Sequence, residues 1–142
     1  MIKQQPRKNN KMNTMYKNVQ QLNELITRGE TIKAMELFYS QTVLMQENEE
    51  DPRVGKAFCI EHEQKNLNKV KDFELQIIHQ AIDPSKNVVF TEMELRFTPL
   101  KGPRMKLREV SVQYWSNGLI EKEKFYYHSM KKVDPVDQPN TI

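Results

Sequence analysis

Cysteine is nearly absent: Cys59 stands alone among 142 residues. A lone cysteine closes no intramolecular disulfide and lacks the spacing of a zinc site. No apolar run reaches the length of a bilayer span, and no apolar h-region follows the charged start. Neither a membrane segment nor a signal peptide is therefore expected. There is no glycine-rich phosphate loop, no nucleotide or flavin fingerprint and no His/Cys cluster, so no cofactor and no metal is expected. Charge of one sign is lacking too. The 22 basic and 19 acidic residues leave a net +3, too even to draw nucleic acid by bulk charge. The one local excess is Lys3, Arg7, Lys8 and Lys11 around Pro6. A frayed, solvated terminus accounts for it better than a phosphate-binding arm, so a nucleic-acid role rests on that arm alone. The expectation is a soluble, cytoplasmic protein with one core.

Residues 1–12 read as a disordered basic arm, 13–130 as one domain and 131–142 as a flexible tail. Met15, Val19, Leu22 and Ile26 recur at helical spacing, with Tyr16 and Leu25 beside them, and Gly29 is a stop signal. A short helix over 30–40 buries Ile32, Met35 and Phe38, and 42–47 reads as a strand. Asp51-Pro52 predicts the start of a third helix, running to about Leu67 with Val54, Ala57 and Phe58 inward. The period then changes to two: Phe73, Leu75 and Ile77, then Val89 to Phe97, then 104–115 and 119–128. Asn117-Gly118 is the strongest hairpin signal. Helices followed by a four-strand meander predict an α+β cup, with N-terminal helices packed on a curved antiparallel sheet.

One strand face carries Met105, Leu107, Glu109, Ser111, Gln113 and Trp115: apolar ends around a polar middle. Buried polar groups are costly without partners. This face is either solvated or lines a cavity where its polar groups meet water or ligand. A plain two-residue hairpin would set Glu109 opposite Tyr126, Ser111 opposite Lys124 and Gln113 opposite Lys122, which suits a solvated face. Spacing leaves both readings open.

The chain resembles the nuclear transport factor 2-like superfamily, especially its SnoaL-like polyketide cyclase branch. The carriers are ELFYSQTVLMQENEEDPRVGKA (Glu36–Ala57), EVSVQYWSNGLIEKEKFYYH (Glu109–His128) and the helix–Gly–helix opening at Gly29. The resemblance covers roughly Val19 to His128. It implies a cone-shaped cup with its mouth between helices and sheet, a small, largely apolar organic ligand inside, and a homodimer through the convex sheet face. It turns Glu109, Ser111 and Gln113 into the cup. It also turns Phe125 and Tyr127 inward, which needs a β-bulge between Gln113 and Phe125.

Two enzymes of this fold test for retained chemistry. Pro52, Arg53 and Gly55 align with ketosteroid isomerase, which puts its general base at Gln46 and its oxyanion-hole groups at Ser111 and Leu22. An amide abstracts no proton and a leucine donates no hydrogen bond, so that mechanism is not retained. The Asp–Arg–Asp set of limonene epoxide hydrolase falls near Met93, Leu95 and Phe125, all apolar here. Glu109 remains the candidate acid or base, with His62 a possible partner and Phe58 a further pocket wall. The expectation is a ligand-binding cup. The alternatives are an isomerase, cyclase or dehydratase using Glu109, or a non-catalytic dimeric interaction module.

Overall fold

The computed structural model describes residues 4–134, with side chains from Met12 onward. Helix α1 spans Gln4–Thr27 and α2 spans Thr31–Phe38; β1 is Tyr39–Glu47, β2 is Arg53–Val54 and α3 is Lys56–Leu67. The long strands follow as β3 Val70–Asp83, β4 Val88–Pro99, β5 Met105–Ser116 and β6 Leu119–Tyr127, with a short β7 at Lys131–Lys132. The sheet order is β2-β1-β6-β5-β4-β3, with β7 on β5. All pairs are antiparallel except β1 with β6, so the curved sheet is mixed. The expected α+β cup is present, with that one correction to its sheet.

Helix α1 buries Met15, Val19, Leu22 and Leu25, the face that the spacing predicts. It ends where Gly29 adopts φ 83, with Glu30 N–H bonding the Leu25 carbonyl at 2.9 Å. Its start differs from expectation, because the helix already runs from Gln4 through the segment read as a disordered arm. Pro6 falls in the first turn, where a missing N–H costs no intrahelical bond. The helix side of the core continues in Ala34, Met35 and Phe38 of α2, with the Phe38 ring 5.9 Å from that of Trp115.

The third helix also starts elsewhere. Asp51 and Pro52 are outside it, Arg53 and Val54 pair with Met45 and Leu44, and Gly55 (φ 102) caps α3. The strand pairing, closed by Gly55 N–H to the Val43 carbonyl at 2.9 Å, outweighs the local Asp-Pro signal. The phase of α3 shifts with it. Cys59 is buried, whereas Val54, Ala57 and Phe58 face solvent.

Asn117 (φ 51) and Gly118 (φ 78) form the tight β5–β6 turn. Beyond it Trp115 pairs with Ile120 but Tyr114 pairs with Lys122. Glu121 is thus left over as a bulge, and its carboxylate accepts a 3.0 Å hydrogen bond from Ser40 Oγ. Every later residue of β6 is shifted by one, so Glu109 pairs with Tyr127, Ser111 with Phe125 and Gln113 with Glu123. The tail is not wholly free of structure: β7 pairs with Met105 and Lys106, and residues 135–142 lie outside the described chain.

Ile120 has no exposed surface and sits in the core with Val43 and Val89. Ile120→Ala should cost roughly 2–5 kcal/mol in chemical denaturation. Phe58→Ala, at a side chain 55% exposed, should stay within about 0.5 kcal/mol of wild type.

Candidate functional site

Between the helices and the concave face of the sheet lies a cavity of about 390 Å³. Leu22, Ile26 and Met35 line it from the helices, and Phe73, Leu75, Met93, Leu95, Phe97 and Leu107 from the sheet. Asn66, Lys69 and Met130 line it where the chain is exposed, which marks the mouth. Tyr39, Gln113 and Glu123 are buried at the other end.

That floor is a directed chain of hydrogen bonds. Trp115 Nε1 donates to Gln113 Oε1 at 3.1 Å, which fixes the amide so that Gln113 Nε2 donates to Glu123 Oε2 at 2.9 Å. The Tyr39 hydroxyl donates to the other carboxylate oxygen of Glu123. Burial raises the Glu123 pKa to about 7, opposed by the bonds from Tyr39 and Gln113 and by the nearby Ser111 hydroxyl. Ser111 Oγ is wholly buried and lies towards Glu123, but forms no hydrogen bond of good geometry. Burial and the Glu123 charge push the Tyr39 phenol well above its ordinary value, so it stays a donor.

Glu109 is different. It is 8% exposed, faces the cavity, and its carboxyl has no hydrogen-bond partner among the described residues. Burial raises its pKa to about 8, and the charges of Glu123, Glu47 and Glu63 add to the rise. At neutral pH Glu109 is mostly a carboxylic acid, able to donate a proton or a hydrogen bond. Glu109 is four positions from Gln113 on β5, and Gln113 pairs with Glu123, so Glu109 and Glu123 arise at different depths, with backbone positions about 13 Å apart along the strand.

A third acidic group, Glu47, is held by Arg53 at 2.6 Å. The other side of that guanidinium, Arg53 Nε, is buried with no partner. Glu63 of α3 also lines the cavity, its pKa raised by burial and then by the Glu47 charge.

Neither a family model nor a curated protein matches this sequence. Solved structures do. A candidate SnoaL-like polyketide cyclase from Mesorhizobium loti is 20% identical, with a TM-score of 0.68 over 79% of this chain and 97% of its own. SalBIII, an epoxide hydrolase/cyclase-like enzyme of pyran ring formation in salinomycin, is 16% identical; its TM-score is 0.71 over 85% of this chain and 97% of its own. A nuclear transport factor 2-like protein of unknown function from Cytophaga hutchinsonii is 16% identical, with a TM-score of 0.67 over 80% and 99%. This chain has the nuclear transport factor 2-like fold. At such identities the likeness is one of architecture, and the chemistry has to come from this chain's own side chains.

Within the nuclear transport factor 2-like cup, Met93, Leu95, Glu109, Gln113, Phe125 and Tyr127 line the cavity, and Ser111 lies behind its wall on the same face. Three expected positions do not line it. Gln46 points off the inner face, donating from Nε2 to the Glu50 carbonyl at 2.9 Å, because the inward residues of β1 are Met45 and Glu47. Phe58 is exposed by the later start of α3. His62 is on that helix beside the lining residue Glu63, but pairs with Asn66, which is 3.2 Å away. Burial and the Arg53 charge lower its pKa, which favours the neutral ring. The residues missed are Tyr39, Glu47, Arg53, Glu63 and Glu123. Glu123 alternates with Phe125 and Tyr127, so the bulge that turns those rings inward also turns Glu123 inward.

The raised acid pKa values set the sign of the pH dependence. The folded chain binds more protons than the unfolded one between 4.5 and about 8, so stability falls as pH rises through that window. Glu109→Gln should flatten the fall, leaving the variant more stable than wild type at about pH 8.5 by at most a few kcal/mol. Urea melts from about pH 5 to 8.5 would show it; an unchanged slope would mean that Glu109 is ionised and solvated.

Proposed function

We propose that this chain binds a small, largely apolar organic molecule in its cup and moves a proton to or from it at Glu109, in isomerase, cyclase or dehydratase chemistry. The observation that carries the reading is the Glu109 carboxyl itself. A buried acid with no internal partner is costly to keep. A ligand that takes its hydrogen bond removes that cost. Glu123 has its donors already, so its role is to hold the floor and, through its charge, to keep the Glu109 proton in place. The apolar walls supply binding and exclude water, which strengthens electrostatic contacts inside. The likeness to SalBIII and to cyclase candidates supports a container for such chemistry, while apolar Met93, Leu95 and Phe125 argue against an Asp–Arg–Asp epoxide hydrolysis.

The test is solvent deuterium uptake into a panel of apolar enolisable ketones, followed by proton NMR. Wild type should exchange at least one of them, and Glu109→Gln should slow that by roughly 100-fold or more while leaving its binding intact. Binding without exchange in wild type would make the cup a non-catalytic pocket.

The same reading includes a homodimer through the convex face. Phe90, Val110, Tyr114 and Tyr126 are exposed there, and Phe90 pairs with Val112 and Val110 with Tyr126 across adjoining strands. Arg108 bridges Glu92 at 3.1 Å and Glu94 at 3.0 Å beside them. An apolar patch rimmed by charge suits a two-fold contact. Light scattering should give a dimer at micromolar concentration, and Val110→Lys with Tyr126→Lys should give a folded monomer. The unpaired thiol of Cys59 fits a reducing, cytoplasmic setting. Among the described residues, no helix is long and apolar enough to cross a membrane.

A further inference from the structure

We infer that the ligand of this cup carries a basic nitrogen, so that it enters as an apolar body with an ammonium group that settles against Glu109. The inference rests on the pocket reading above and names the chemical class that the pocket selects. Its first support is the imbalance of charge around the cavity. Glu47, Glu63, Glu109 and Glu123 line it, against Arg53 and Lys69. Arg53 already holds Glu47 at 2.6 Å, and Lys69 is exposed at the mouth. Glu109 therefore meets acidic groups from β1 (Glu47), α3 (Glu63) and β6 (Glu123), and every charge that shifts it pushes the same way. The walls contributed by α1, α2, β3 and β4 carry no charged lining residue. An anionic ligand would add a further like charge to this interior, whereas a cation relieves the repulsion already there.

The second support is independent of the acids. Tyr127 is directly across the strand pair from Glu109, and Phe125 is the next inward residue of β6. Both rings line the cavity, about 5–8 Å from Glu109 between side-chain bases. An ammonium beside the carboxyl is then within reach of ring faces, and a desolvated cation gains most from such contacts. The apolar body fills the space lined by Met93, Leu95 and Leu107.

Proton balance follows. A primary aliphatic amine is already an ammonium at neutral pH, and the empty site holds Glu109 mostly as its acid. Pairing leaves the ammonium against a carboxylate and releases the Glu109 proton to the buffer. In that state Glu109 is a base, the form that accepts a proton from a ligand carbon.

The experiment compares 2-naphthylmethylamine, 2-naphthylmethanol and 2-naphthoate on the full chain by calorimetry at neutral pH, in two buffers of different ionisation enthalpy. The amine should bind roughly tenfold or more tighter than the alcohol, the naphthoate should bind weakest, and amine binding should release close to one proton. Glu109→Gln should erase the preference for the amine over the alcohol and abolish the proton release. Equal binding of amine and alcohol, or tightest binding of the naphthoate, would overturn the inference and leave the apolar pocket standing. Binding of none of the three would remove the pocket reading as well.

Discussion

The orientation of one strand decides what the cup contains. With the extra residue Glu121 accommodated as a bulge, β6 presents Glu123, Phe125 and Tyr127 to the interior. Without it, the same hairpin would present Lys122, Lys124 and Tyr126, and the floor would be basic. A one-residue slip exchanges the two faces of a strand completely, so this bulge has to be held. Two contacts hold it. Ser40 bonds the bulged Glu121 from β1, and the parallel β1–β6 register resumes at Leu44 with Lys122 and Met45 with Glu123. Tyr39, next to Ser40, then reaches Glu123 on the inner face. The start of β1 thus secures both the bulge and the floor that the bulge creates.

The interior that results is electrostatically expensive. Glu109 and Glu123 are both buried without a cationic partner, and the Glu123 charge adds to the cost of ionising Glu109 while the Glu63 charge adds to that of both. The protein treats them differently. Glu123 has donors on both oxygens, fixed by a relay that begins at the Trp115 indole. Its charge is tolerated because it is solvated by the protein. Glu109 has only the cavity. A designed core would place an apolar residue there, as the flanking Leu107 shows. That contrast, rather than the number of acids, separates a structural carboxyl from one available for chemistry.

The sequence carries the fold well and the site partly, and the division has physical causes. The α1 stripe, the Gly29 stop and the Asn117-Gly118 turn are local signals, readable from a few adjacent residues. The start of α3 is not local. Asp51-Pro52 has the chemistry of a helix N-terminus, but Arg53 and Val54 gain a strand partner in β1 that no window around them reveals. The inner face of β1 was hidden for a related reason. Val43, Leu44 and Met45 are all apolar, so alternation gives no phase, and placing Gln46 inward by alignment missed Glu47. Glu109, Ser111 and Gln113 were legible because polar residues interrupt an apolar strand face. Phe125 and Tyr127 came from the resemblance, whose bulge the Glu121 irregularity matches.

The same bulge explains why likeness of architecture and likeness of chemistry separate in this chain. Along a strand of the cup, any inward position can hold a catalytic group or a methyl-rich wall without changing the backbone, because the pleat alone sets the direction. Met93, Leu95 and Phe125 are walls here, where another enzyme of the fold carries charged groups. The acids sit instead at Glu109 and Glu123, on neighbouring antiparallel strands whose relative register depends on Glu121. A cup built this way keeps its shape while its reactive groups move from strand to strand. What it does is therefore read from which inward side chains lack partners: among the described carboxyls that line the cavity these are Glu109 and Glu63, and Glu109 is the more deeply buried of the two.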